Sequence, residues 1–275
     1  MFDCHVHAAP DVIPRRGDDL DTLEAFEAAG ASGFVLKGHH ESTVGRAHGL
    51  SRRSGLSVVG GITLNQAAGG INPAAVAATL HAGGRVVWMP TADAHTQEQA
   101  GLPRLCDLDE RLDRVVFAVP PVAPEAGTAA ELVLALIADH DAVLATGHLS
   151  GAECSWLLAR ARHYGIRRVL LTHPSYTVPG LNAGAVAELV SAGGFAEITA
   201  YQLLHQPGCT PEMLAEVARA AGSGLVLSSD AGQPDSPLPP EALQQLIDTL
   251  ASCGVDRGRL EAGASTTPAD LILLP

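Results

Sequence analysis

Short apolar runs alternate with amphipathic stretches along almost the whole chain. The apolar runs cover residues 2–6, 33–37, 57–63, 85–89, 142–146, 168–172, 194–199 and 224–228, each short enough for a buried strand. Between them the apolar positions recur at helical spacing. Helices are expected over 18–29, 44–53, the stretch between Asn72-Pro73 and Gly83-Gly84, 128–140, 152–164, 183–192, 211–221 and 240–252. Gly30, Gly55 and Gly83 stand where helices end, and Asn72-Pro73 forms a start signal. Strand then helix, repeated eight times with short connections, implies a parallel sheet. Eight such units close more naturally into a (β/α)8 barrel than into an open sheet. The runner-up, a doubly wound open sheet, lacks a glycine-rich phosphate turn after strand 1. Residues 97–124 break the rhythm. Short strands at 104–107 and 114–119 suggest a β-hairpin inserted into a single domain spanning 1–275.

Composition fits this reading. The chain is 47% hydrophobic and 17% charged, with aromatics at only 4%. A formal net charge of −13 argues against nucleic-acid or anionic-membrane partners, while leaving room for an anionic small molecule held by a local arginine. There is no apolar run of membrane-spanning length and no signal peptide. The five cysteines show no paired spacing, so reduced thiols and a cytoplasmic location are expected.

The chemistry gathers at the strand ends. His5 and His7 lie two apart in strand 1, so alternation puts both on one face and Cys4 and Val6 on the other. Alone, that pair is a weak signal. His148 follows strand 5, His173 follows strand 6 and Asp230 follows strand 8. Barrel active sites form at these ends, and four imidazoles with one carboxylate form a donor set for a zinc-type ion.

Together these residues resemble the amidohydrolase superfamily of metal-dependent barrels. Its pattern of His-x-His on strand 1, His on strands 5 and 6 and Asp on strand 8 falls on His5, His7, His148, His173 and Asp230. Residues 265–273 are similar to a closing helix of several branches. With strand 1 starting at residue 2, the compact branches are nearest: TatD-like nucleases, phosphotriesterase-like lactonases and decarboxylases. The resemblance implies one or two divalent ions, zinc first, with Mn, Fe, Co or Ni as alternatives. It implies Asp230 and His173 as catalytic groups. The chain departs from the pattern at strand 4, which ends in Val87-Trp88-Met89-Pro90-Thr91 without the bridging Lys or Glu of binuclear members. Asp93 and His95 could substitute, as could a carbamylated Lys37 on strand 2; otherwise Lys37 is an ammonium that binds substrate or a carboxylate.

For substrate contacts the candidates are Arg15 and Arg16, an anion clamp after strand 1. His39 and His40 follow strand 2, Tyr176 follows His173, and Tyr201 and His205 follow strand 7. Glu197, inside strand 7, is expected to pair with a cation such as Lys37. The resulting expectation is a hydrolase cleaving an amide, cyclic amide or lactone bond of a small anionic substrate, in a homo-oligomer. Non-oxidative decarboxylation and phosphoester hydrolysis are the enzymatic alternatives. A barrel that binds metal without catalysis is the non-enzymatic one.

Overall fold

The computed structural model describes residues 1–102, 105, 109 and 111–273. Eight strands form one sheet: β1 (Phe2–Val6), β2 (Gly33–Leu36), β3 (Ser57–Thr63), β4 (Val86–Trp88), β5 (Val143–Ala145), β6 (Val169–Leu171), β7 (Phe195–Thr199) and β8 (Leu225–Ser228). They lie side by side in chain order, every pair parallel. Closure runs through residues just past β8. Asp230 N donates to His5 O and His7 N donates to Ala231 O, both at 2.9 Å. The barrel reading therefore holds and the open sheet falls.

Helices follow the strands: α1 (Asp19–Ala28), α2 (Val44–Ser51), α3 (Pro73–His81), α4 (His95–Gln99), α5 (Gly127–Asp139), α6 (Gly151–Tyr164), α7 (Ala183–Ser191), α8 (Ala200–His205), α9 (Pro211–Ala221), α10 (Pro239–Ser252), α11 (Arg257–Gly263) and α12 (Thr266–Ile272). Local chemistry sets their starts. Asp18 and Ser150 form capping boxes with Asp21 and Glu153, and Asn72 accepts from Ala74 N and Ala75 N. The short α4 and α8 escape the periodicity argument because five or six residues carry too few apolar positions to show a period.

Two apolar layers hold the barrel. The inner one packs Phe2, Cys4, Val35, Val86, Trp88, Val143, Ala145, Leu170 and Val226 with Leu271 and Ile272 of α12. Arg85 and Arg168, just before β4 and β6, donate to the carbonyls of Ile272 and of Asp270, Leu271 and Leu273, so α12 caps the N-terminal end. The outer layer packs residues such as Leu144, Leu171, Ile198 and Leu227 against the helices. The C-terminal end is left to polar groups. No helix among the described residues is long and apolar enough to cross a membrane.

Two expectations change. Of the proposed hairpin's first arm, 104–107, only Leu105 is among the described residues. Its second arm, 114–119, makes a single parallel bridge from Phe117 to Ala94 in place of a strand, because it pairs with the segment after β4. In β1, Cys4 does not face outward: the pairing slips between Asp3 and Val6. A bulge breaks strict alternation. Cys4 and His5 therefore reach the same Glu197 Oε1, at 3.7 Å and 3.1 Å.

Candidate metal centre

The chain leaves three of its strands through left-handed backbone. Gly147 has φ 59°, His173 φ 23° and Asp230 φ 48°. For His173 and Asp230 that conformation is costly, and such strain tends to persist where side chains must be aimed at a site. These turns deliver the imidazoles and the carboxylate to the barrel mouth.

There, His5 Nε2 and His7 Nε2 stand 3.1 Å and 3.3 Å from Asp230 Oδ1. His173 Nε2 is 3.9 Å from Oδ2, and the His148 ring lies 5.0 Å from that of His173. Ligand atoms of His5, His7 and Asp230 all fall within 4.8 Å of one another, and so do those of His5, His173 and Glu197. Buried Nδ1 atoms of His7 and His173 have no hydrogen-bond partner among the described residues. Two imidazole nitrogens and a carboxylate oxygen converging in a buried place suit a zinc-type ion, with His173 and His148 at hand as further ligands.

Glu197 organises this cluster from behind. Its Oε1 accepts from His5 Nδ1 at 3.1 Å and Ser228 Oγ at 2.6 Å, and its Oε2 from His173 N at 3.0 Å. Burial opposes a charge on His5, but Asp230 and Glu197 raise its pKa to about 9. An ion taking the place of the Nε2 proton would leave the Nδ1–H on Glu197, the usual way a carboxylate orients a metal-binding imidazole. The cation expected for Glu197 was Lys37, but its direct partner is His5. Sequence reading cannot see this, since it depends on the β1 bulge and on barrel closure, which brings β7 to within one strand of β1.

Electrostatics follow from burial. Burial alone would raise the pKa of Asp230, but the His5 charge and the hydrogen bonds from His5 and His7 carry it well below the usual carboxylate range. Burial also opposes ionisation of Glu197, yet His5 holds its pKa down to about 2. Burial lowers the pKa of His173 to about 4 and that of His148 well below the ordinary value. For His7, burial and then the Arg15 charge lower it to about 3. Neutral imidazoles are the form a metal requires.

Lys37 Nζ sits 3.0 Å from His5 Nε2 and 5.6 Å from the centre of the Trp88 ring. Burial lowers its pKa to about 8, against the pull of Asp230 and Glu197. It thus joins the cluster, whereas Asp93 and His95 do not. Asp93 Oδ2 is taken by Gln66 N, and His95 faces Glu153 at 3.8 Å.

A small cavity of about 100 Å³ opens over these groups, lined by His7, Lys37, His39, His148, His173 and Asp230, with Arg15, Ile13, Gln97, Leu105, Tyr176, Tyr201 and Gln233 around them. Arg15 is held by Asp11, with Nε to Oδ2 at 2.8 Å. The Tyr176 and Tyr201 rings pack edge to face, 5.8 Å apart. Three of the substrate-contact candidates stand outside the lining. Arg16 points to Pro234 O and is exposed. His40 lies against Asp11, its Nδ1 3.8 Å from Oδ1. His205 hydrogen-bonds Ser236 Oγ and supports the Tyr201 ring at 4.9 Å. Gln97 and Gln233 give no sequence signal, because nothing in their surroundings marks them as facing a site.

The sequence profile of a family of unknown function, DUF6282, matches residues 1–197. The chain belongs to DUF6282. The matched stretch of this DUF6282 protein carries His5, His7, Lys37, His148, His173 and Glu197, while Asp230 lies beyond it. No curated protein matches the sequence. Among solved structures, an amidohydrolase from Pseudomonas aeruginosa is similar with a TM-score of 0.66 at 12% identity, covering 98% of this chain and 94% of that one. The organophosphorus hydrolase from Deinococcus radiodurans gives 0.60 at 14% identity, covering 99% and 92%. An amidohydrolase from Burkholderia multivorans gives 0.58 at 14%, covering 100% and 99%. At such identities the likeness is one of fold. The DUF6282 chain shares the barrel fold of these proteins.

Proposed function

We propose that this protein is a metal-dependent hydrolase that cleaves an amide, cyclic amide or lactone bond in a small anionic molecule. The observation that carries the reading is the convergence of His5 Nε2, His7 Nε2 and Asp230 Oδ1 at the C-terminal mouth of the barrel. His5, His7 and Asp230 would hold a divalent ion, zinc first, joined by His173 and His148. Such an ion supplies acidity, lowering the pKa of water from 15.7 to about 7.

The remaining work falls to the chain. Asp230 is ionised, and Oδ1 is its contact to His5 and His7, so Oδ2 is left to take the proton of the attacking water and pass it to the leaving group. Glu197 keeps His5 in one tautomer and one orientation. Arg15 gives the cavity a fixed positive charge for the substrate's anionic group. Tyr176 and Tyr201 add to the wall of a cavity of about 100 Å³, which suits a small molecule.

One observation favours a second reading. β4 sends no carboxylate or lysine into the cavity, which suits a single ion and the chemistry of non-oxidative decarboxylation. A screen of zinc-loaded protein against small anionic lactones, cyclic amides, N-acyl amino acids and aromatic carboxylic acids separates the two. Ring opening or deacylation that chelator removes, and that Asp230→Asn lowers by at least about 10²-fold, supports hydrolysis. Release of CO2 without uptake of water replaces it with decarboxylation.

A further inference from the structure

His39 is buried at the cavity wall, with its ring stacked on His7 at 4.7 Å. Two buried polar side chains fix its chemistry. The Asn65 amide has one possible orientation, since Oδ1 accepts from Thr91 N at 2.8 Å and Asp93 N at 3.3 Å. Its Nδ2 must then donate, and it reaches His39 O at 3.0 Å and Thr91 Oγ1 at 2.9 Å. Thr91 Oγ1 receives that proton and has one of its own to give. Its remaining partner among the described residues is His39 Nδ1, at 3.1 Å. A hydroxyl donating there makes Nδ1 an acceptor, so the imidazole proton sits on Nε2. Nε2, across the ring from the Nδ1 that Thr91 engages, has no protein partner among the described residues, and His39 lines the cavity.

We propose that His39 is a catalytic hydrogen-bond donor, its Nε2–H held at the cavity by Asn65 and Thr91 to receive the negative charge that develops on the substrate oxygen under attack. The proposal rests on the hydrolase reading for the identity of that oxygen. It also explains why a histidine beside His7 is not one more ligand. An Nε2 that carries a proton has no lone pair for a metal, and moving the proton to Nδ1 would strand the Thr91 hydroxyl in a buried place. A donor fixed in advance of the reaction needs no rearrangement when charge appears, which is where such groups act most strongly. Asn65 and Thr91 are positioning residues that work through His39.

The test uses zinc-loaded full-length protein. Nitrogen-15 NMR of the imidazole rings, with the His39 signals assigned by their loss in His39→Gln, reads the tautomer directly. Nε2–H is expected in the wild type and in Thr91→Ser, and loss of that single tautomer in Thr91→Val. A wild-type His39 that is Nδ1–H, mixed or zinc-bound overturns the proposal. The second arm is the affinity of methylphosphonate, a tetrahedral anion. His39→Phe should weaken it by about tenfold to a hundredfold, the range for a hydrogen bond to a charged group, with zinc content unchanged. His39→Gln, which keeps an N–H, should recover part of the loss. Unchanged affinity in His39→Phe overturns the role at the substrate. A wild type that takes up no zinc sinks the hydrolase reading instead, and the tautomer is then still read on the same sample.

Discussion

Glu197 shows how much one buried side chain can decide. It binds His5, His173 and Ser228 at once, joining β1, β6 and β8 behind the candidate ligands. Glu197→Gln should therefore leave the barrel folded but weaken zinc affinity by about 10–100-fold, read by competition with a chelator. An affinity equal to wild type would mean that His5 is oriented by something else. Asp3 makes a different statement. It is fully buried and accepts from His5 N and Ser229 N. Burial, only partly offset by those bonds, raises its pKa from 3.8 to about 7. The folded state thus holds a proton there that the unfolded state releases between those values. Stability from this group is present below pH 3.8 and is lost as pH rises through about 7. The buried His7 and His173 act in the opposite sense below pH 6.5, so Asp3 is read by difference: in chemical denaturation of chelator-treated protein across pH 4–8, the stability of wild type relative to Asp3→Asn should fall as pH rises. Of the residues at the mouth, His5, His7, Lys37, His148, His173 and Asp230 were legible in the sequence because each ends or follows an apolar run. Glu197's role was not, since a glutamate inside a strand announces burial but not its partner. Nor could the sequence separate Arg15 from Arg16, because a loop has no periodicity to say which side chain turns inward.

Among the elements, the turn after β5 is a tight constraint next to the site. A Cβ on Gly147 would stand 2.3 Å from Met89 O and 2.4 Å from Pro90 O, on left-handed backbone as well. Gly147→Ala should cost more than about 2 kcal/mol and displace His148, seen as a lower melting temperature together with weaker metal binding. At the other end of the barrel, Leu271 of α12 plugs the inner layer. Leu271→Ala should cost about 2–5 kcal/mol in denaturant melts while leaving the metal affinity of the folded protein unchanged. Equal effects of the two substitutions on metal binding would contradict this division of labour between the barrel's ends. All eight strands were readable from their apolar runs, whereas the β1 bulge was not. A bulge depends on how β1 meets its neighbours, and the side-chain pattern of one strand does not record that.

For the whole molecule, charge and site have opposite signs. The chain carries a formal −13, yet Arg15 and Lys37 line the cavity and Asp230 is the one carboxylate among its described lining residues. A divalent ion there would make the mouth net positive, which is the physical case for an anionic substrate. Binding such an ion only in the folded state should stabilise the protein by about 2.7 kcal/mol when the free ion stands at a hundred times its Kd. Chelator should lower the melting temperature accordingly, and zinc should restore it. The most direct test is metal content per chain, by elemental analysis of protein purified without chelator, paired with an anomalous-scattering map. The account predicts at least one divalent ion per chain, lying between His5, His7 and Asp230. A second ion with added density on Lys37 would mark a carbamate bridge; a single ion leaves Lys37 as a substrate cation. A metal-free protein, or an ion bound only elsewhere, would contradict the account.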